Sequence, residues 1–216
     1  MVVPGWLWRL SGWLLALAVA AVAGGAAALA LGAADPPRAG PLLWQDDFKA
    51  GLARWETLTP PGGSADTEGG ALALSVGAGQ TAYALTAGPR GDLTLEIAGA
   101  AGPGAGEAAY GLVFNWQAAD HYSAVLVNGN GYAEAYTQRG AERETWFAFQ
   151  QWPHILYGID SNRVRVDVRG AAVTARVNDE VLASATVESA SRLGVLVSSP
   201  VAARVVFSWV RVWAAP

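Results

Sequence analysis

The residues Arg163-Val164-Arg165-Val166-Asp167-Val168-Arg169-Gly170 alternate strictly between valine and a charged side chain. A few positions on, Val173, Ala175 and Val177 alternate with Thr174 and Arg176. A strand points successive side chains to opposite faces, so this spelling buries one face and wets the other, as antiparallel sheet does. Arg169-Gly170 and Asn178-Asp179 stand where hairpin tips belong, because glycine, asparagine and aspartate tolerate the left-handed backbone of tight turns. Period two recurs at Leu93, Leu95 and Ile97 and at Leu72, Leu74 and Val76, and Asn128-Gly129-Asn130-Gly131 reads as a further tip. After residue 35 no stretch keeps a helical apolar face for three turns. The expectation is an all-β domain, an antiparallel β-sandwich of the jelly-roll kind.

Two segments depart from simple alternation. Tyr110-Gly111-Leu112-Val113-Phe114-Asn115-Trp116 and Tyr122-Ser123-Ala124-Val125-Leu126-Val127 are apolar on both faces. Such strands are central ones covered on both sides, or strands whose outer face carries an aromatic platform.

Composition sets further bounds. Hydrophobic residues make up 52% of the 216 positions and charged residues only 15%, against about 25% in ordinary globular domains. Arg9 is the one charge before Asp35, so residues 35–216 carry 13 basic and 18 acidic side chains, a net of -5. That balance argues against a nucleic-acid partner, which calls for a basic stripe, and against adsorption to anionic lipid. The absence of cysteine excludes disulfides, thiolate-bound zinc and a thiol nucleophile.

The skew is partly local. Leu10–Ala34 is a run of 25 uncharged residues, and a spanning helix needs about 20. Trp6, Trp8 and Trp13 cluster at its front, Arg9 precedes it, and no basic residue follows until Arg38, so residues 1–34 read as a transmembrane signal anchor with the rest carried across. A cleaved signal peptide is the competing reading, with Gly32 and Ala34 as small residues before a cleavage point. Both place residues 35–216 outside the cytoplasm. Asp35–Pro41, with three prolines, reads as a short extended stalk, leaving 42–216 as the folded domain.

Four segments in order carry a resemblance: Trp44-Gln45-Asp46-Asp47-Phe48 with Trp55; Tyr110–Phe114 with Asp120-His121-Tyr122; Asn162–Val166; and Val177-Asn178 ahead of Val205–Trp213. Together they resemble the concanavalin A-like lectin/glucanase sandwich, in the branch of bacterial exported domains related to 3-keto-disaccharide hydrolases. The resemblance implies two stacked curved sheets whose concave face receives sugar. Relatives end with Phe-Asp-Asn, where a carboxylate can join a structural calcium site. Here Phe207-Ser208-Trp209 offers poor hard-cation ligands, so no cofactor is expected. Asn115 stands where relatives often place arginine, and Asn178-Asp179 where they write Asn-Gly.

Signals for catalysis are thin. Glycoside hydrolysis needs two facing carboxyls, and the Glu-x-Asp-x-(x)-Glu strand motif of family 16 glucanases is absent. Glu142 and Glu144 read as a solvated hairpin tip, Asp120-His121 as a turn between strands, and Gly102-Pro103-Gly104-Ala105-Gly106 as an inter-strand loop. There is no Gly-x-Ser-x-Gly elbow and no His-x-x-x-His pair, and Lys49 is the only lysine.

The middle third is instead rich in aromatics. Trp116, Tyr122, Tyr132, Tyr136, Trp146 and Trp152, with Asn115 and Glu134 (and Asn130 nearby), form a candidate ligand site, since sugar rings stack on aromatic faces while amides and carboxylates orient hydroxyls. The competing reading buries these rings in the sandwich core. The functional expectation is therefore a non-catalytic carbohydrate-binding module. An accessory subunit of a membrane or envelope complex stands as an alternative, prompted by the short stalk and by Ala20 and Gly24 at helical spacing. A sugar hydrolase of the 3-keto-disaccharide type is the third reading.

Overall fold

The structure is a computed structural model that describes residues 5–30, 39–187 and 192–215. The chain divides into two compact units, Met1–Pro37 and Arg38–Pro216. In the first, α1 is one helix, Gly5–Ala30, whose side chains are described from 12 to 27 and are all exposed. Among the described residues no helix is long and apolar enough to cross a membrane. The flanks of the expected span, the side chains of Trp6 and Trp8, the Gly32 and Ala34 cleavage point and the stalk up to Arg38 lie outside the described residues.

The second unit opens with β1 (Leu42–Asp46), β2 (Glu56–Leu58), β3 (Ser64–Glu68), β4 (Ala71–Val76) and β5 (Gln80–Ala87). Longer strands follow: β6 (Leu93–Ala101), β7 (Ala109–Ala118), β8 (His121–Val127), β9 (Tyr132–Arg139) and β10 (Glu142–Gln151). The last are β11 (Asn162–Arg169), β12 (Ala172–Val177), β13 (Glu180–Thr186), β14 (Arg192–Ser199) and β15 (Ala203–Ala214). They form two antiparallel sheets. The eight-stranded sheet runs β13-β12-β11-β6-β15-β4-β3, and the seven-stranded sheet runs β10-β9-β8-β7-β14-β5-β2. The twelve-residue β15 pairs β6 along one edge; on the other, its first half pairs β4 and its last part pairs β1. This is the sandwich that the alternation predicts.

The alternating residues meet between the sheets. Leu72, Leu95, Ile97, Val164, Val166 and Phe207 from one sheet pack with Leu112, Phe114, Val125, Val127, Val195 and Val197 from the other, all buried. Each buried aliphatic side chain of this size stabilises the fold by about 1.5–3 kcal/mol. The expected hairpin tips are present. Asn178 and Asp179 both take positive φ (49° and 76°), the two-residue turn that matches strand twist, and Gly170 turns β11 into β12 with φ 58°.

One bulge redirects the middle of the seven-stranded sheet. Asn115 is left-handed (φ 53°), and the β7–β8 register shifts between Phe114 and Ala118. Tyr110, Leu112 and Phe114 point into the inter-sheet core, and strict alternation would send Trp116 there too. The extra residue reverses the parity, so Trp116 joins Tyr83, Tyr122 and Tyr136 on the opposite face. Asn115 thus acts through its backbone, and asparagine is among the few side chains that accept this conformation readily.

The outer face of the eight-stranded sheet is polar but closed. Asp167 Oδ1 accepts the Thr94 hydroxyl at 2.7 Å and the Arg165 guanidinium at 2.7 and 3.0 Å, while its Oδ2 lies 3.4 Å from Arg176 Nε. The Arg165 and Asp167 side chains are only 10% and 8% exposed. Beside them Glu96 is buried 3.5 Å from Arg163. Burial raises its pKa and the neighbouring guanidiniums of Arg163 and Arg165 oppose the rise.

The two ends of the sandwich differ. Gly40 N donates to Ala214 O and Ala214 N to Pro41 O, at the end that also holds Leu93 and Val168. The β6–β7, β8–β9 and β14–β15 loops gather at the other end.

Candidate functional site

The seven-stranded sheet has its own apolar outer face. Leu85, Val113, Ala124, Leu126 and Leu196 make an aliphatic floor, and Tyr83, Trp116, Tyr122 and Tyr136 close over it. Trp116 stacks on Tyr122 at 5.4 Å (23°) and meets Tyr83 at 4.6 Å, and Tyr122 meets Tyr136 edge-on at 6.0 Å. Gly111 on β7 and Gly194 on β14 let the backbones beneath this face approach closely: a Cβ would lie 2.1 Å from Val125 O and 2.0 Å from Ala84 O respectively. The rings bury one another almost completely, and that burial raises the Tyr83 and Tyr136 pKa values above the ordinary phenol range.

At the β9–β10 edge the face becomes charged. The Arg143 guanidinium lies 3.8 Å above the Tyr136 ring, its Nη1 is 3.4 Å from Glu134 Oε2, and its Nε donates to Gln138 Oε1 at 3.2 Å. Glu134 is 20% exposed at its side chain. Burial raises its pKa, and Arg143 only partly offsets the rise. A carboxylate whose folded pKa is raised costs stability above that pKa, and the cost disappears as pH falls below the ordinary glutamate value of 4.5. Glu134→Gln is therefore expected to raise the melting temperature at pH 7 by at most about 2–4 °C, the shift that about 1 kcal/mol produces in a domain of this size. At pH 4 the gain should vanish, and a gain independent of pH in calorimetric scans would contradict this account.

Toward the loop end the same face opens into a groove of about 410 Å³, lined by Glu107, Ala109, Asn128, Asn130, Tyr132, Phe149, Ser198, Ser199 and Pro200. Tyr132 and Phe149 stack at 4.9 Å and 13°, and Phe149 is 57% exposed. The loop beneath is fixed from within. Asn128 Oδ1 accepts the N–H groups of Asn130 (3.1 Å) and Tyr132 (3.0 Å). Gly131, at φ 87°, sits so close to the Tyr157 ring that a Cβ would lie 2.7 Å from it. Gly158 N donates to Gly129 O, and Trp152 N to Gly131 O. The fully buried Asn162 holds this second loop by accepting Leu156 N–H and donating to Leu156 O and the Tyr110 hydroxyl.

Of the eight residues expected at a ligand site, Trp116, Tyr122, Tyr132, Glu134 and Tyr136 share this outer face, and Asn115 forms the bulge that turns Trp116 onto it. Trp146 and Trp152 instead pack against the inter-sheet core, Trp146 6.0 Å from Phe114 and Trp152 5.6 Å from Phe147. Tyr83, Arg143, Phe149 and Glu107 are additions from the structure. Tyr83 is legible in the alternation of Thr81-Ala82-Tyr83-Ala84-Leu85. Phe149 is not, because two register shifts in β10 break its period.

The residue pairs weighed for catalysis lie elsewhere. Glu142 and Glu144 are exposed on β10, Glu144 paired with Arg139 at 2.7 Å, while Asp120 lies in the β7–β8 turn and His121 opens β8 opposite Ala118. Among the described residues no group of three or more His, Cys, Asp or Glu could hold a metal ion.

No protein-family model matches this sequence, and no curated protein does. Solved structures match the fold. The carbohydrate-binding module CBM66 from Bacillus subtilis is 16% identical with a TM-score of 0.62, over 76% of this chain and 97% of the module. The Emp47p carbohydrate recognition domain is 14% identical with a TM-score of 0.60, over 82% of this chain and 98% of that domain. The catalytic domain of an endo-1,3-beta-glucanase (laminarinase) from Thermotoga petrophila RKU-1 is 11% identical with a TM-score of 0.58, over 81% and 97%. The two antiparallel sheets and these matches along their length give this chain the concanavalin A-like lectin/glucanase fold.

Proposed function

We propose that the protein is a non-catalytic carbohydrate-binding module, exported and held at a membrane by its N-terminal segment. The observation that carries the binding reading is the exposed Tyr132–Phe149 ledge beside a groove lined by asparagine, serine and a carboxylate. A pyranose has an apolar face that stacks on rings and a rim of hydroxyls that both donate and accept, and amides and hydroxyls serve both needs. The fold is shared with a carbohydrate-binding module and a carbohydrate recognition domain but also with a glucanase catalytic domain, so fold alone decides nothing between binding and hydrolysis. Binding is favoured because the charged group acting on Glu134 is Arg143, whereas acid–base hydrolysis needs a second carboxyl set opposite the first. The apolar run Leu10–Ala34 supplies the tether in this reading.

Thermal-shift and calorimetric titration of the full chain in mild detergent against an oligosaccharide panel tests the assignment. A bound sugar raises the melting temperature, because it stabilises the native state alone. Tyr132→Ala and Phe149→Ala are each expected to weaken binding at least tenfold, about 1.4 kcal/mol. Trp146→Ala and Trp152→Ala should lower the melting temperature and leave the dissociation constant nearly unchanged. Binding that survives both ledge substitutions would move the site elsewhere, and a flat response across the panel would end the carbohydrate reading.

A further inference from the structure

The groove also has a charge, and charge sorts sugars that shape cannot. Its polar lining is amide, hydroxyl and phenol, and among the described residues its one ionised side chain is Glu107, which is exposed. Among the described residues no basic side chain lines it. The cation of the adjoining strip, Arg143, is already engaged by Glu134, Gln138 and the Tyr136 ring. We infer that the groove takes uncharged or amine-bearing pyranosides and turns away uronates and sulfated sugars. This rests on the carbohydrate reading above and names the class of sugar at the same site.

Two physical terms point the same way. An anionic group entering the groove gives up part of its hydration with no guanidinium or ammonium to replace it. It also meets the Glu107 carboxylate. At a separation of about 5 Å in a water-like dielectric, that repulsion alone weakens binding about fourfold, and more where water is displaced. An ammonium substituent reverses the sign of both effects. The discrimination does not relax away easily, because the lining is fixed. Asn130 lies against Gly106, where a Cβ would come within 2.5 Å of its Oδ1, and Asn128 ties the backbone of Asn130 and Tyr132 to one carbonyl oxygen.

The test is calorimetric titration of the full chain in mild detergent with β-1,4-linked tetrasaccharides matched in length. Each set holds the neutral hexose, the 2-amino and the uronate member, built in turn on glucose, galactose and mannose. In any set that binds, the uronate should be at least about fourfold weaker than the neutral sugar, and the amine at least as tight as the neutral one. Glu107→Gln should bring the uronate-to-neutral ratio toward one, Glu107→Lys should invert it, and about 0.5 M salt should shrink it in the parent chain. A uronate that binds as tightly as its neutral partner, or a ratio untouched by both Glu107 substitutions, overturns the inference while leaving carbohydrate binding in place. Failure of every member of every set overturns the carbohydrate reading itself, and this inference with it.

Discussion

Gly194→Ala is expected to destabilise the protein by more than about 4 kcal/mol, a large part of the roughly 5–15 kcal/mol that holds a typical domain together. A Cβ at this position would lie 2.0 Å from the carbonyl oxygen of Ala84 and 2.9 Å from Leu85 Cα. Both atoms are backbone of β5, so no rotamer can relieve the contact. β14 would have to draw away from β5, giving up an eight-residue register that runs from Arg192 opposite Ala87 to Ser199 opposite Gln80. Gly111, whose Cβ would fall 2.1 Å from Val125 O on β8, should behave alike. Gly104→Ala makes the contrast: φ there is 76°, but nothing lies within 4 Å of the new methyl, so only the backbone strain of about 1 kcal/mol is expected. Urea unfolding followed by circular dichroism measures all three. A Gly194→Ala midpoint close to that of Gly104→Ala would refute the steric account.

The second large effect concerns charge. Asp167→Ala removes the carboxylate shared by Arg165 and Arg176 on the outer face of the eight-stranded sheet, and a loss of about 3–5 kcal/mol is expected. Most of that is the penalty of leaving guanidiniums in a site with little access to water, rather than the intrinsic strength of the pairs. The distinction is measurable. Replacing all three residues together by aliphatic side chains of similar volume should recover most of the stability, because ion pairs in buried surroundings often do no better than packed hydrocarbon. A triple variant as unstable as Asp167→Ala would mean that the network contributes net stability.

Sheet-forming alternation was legible in the sequence wherever strands pair without interruption. β11 and β12 follow Val164, Val166, Val168, Val173, Ala175 and Val177 residue by residue, and Asn178-Asp179 turns where its backbone preferences say it should. The two segments apolar on both faces, 110–116 and 122–127, are central strands of the seven-stranded sheet, and each also contributes to an aromatic outer face. The site was harder to read because parity fails where a bulge intervenes. Nothing local in Phe114-Asn115-Trp116 announces that Asn115 will turn left-handed and carry Trp116 across the sheet. In β10 the shifts between Thr145 and Phe147 and between Phe147 and Gln150 send Trp146 to the core side and leave Phe149 stacked on Tyr132. Those shifts arise in the pairing of β10 with β9, and an alternation read along β10 alone does not show them.

The hydrogen bonds that clip Gly40 and Pro41 to Ala214 gather the start of β1 and the end of β15 at one pole. The groove opens at the other, the length of the nine-residue β6 away, or about 30 Å at the usual rise per strand residue. A bead or fused partner that holds the domain at the first pole therefore grips it by its handle and leaves the groove pointing outward.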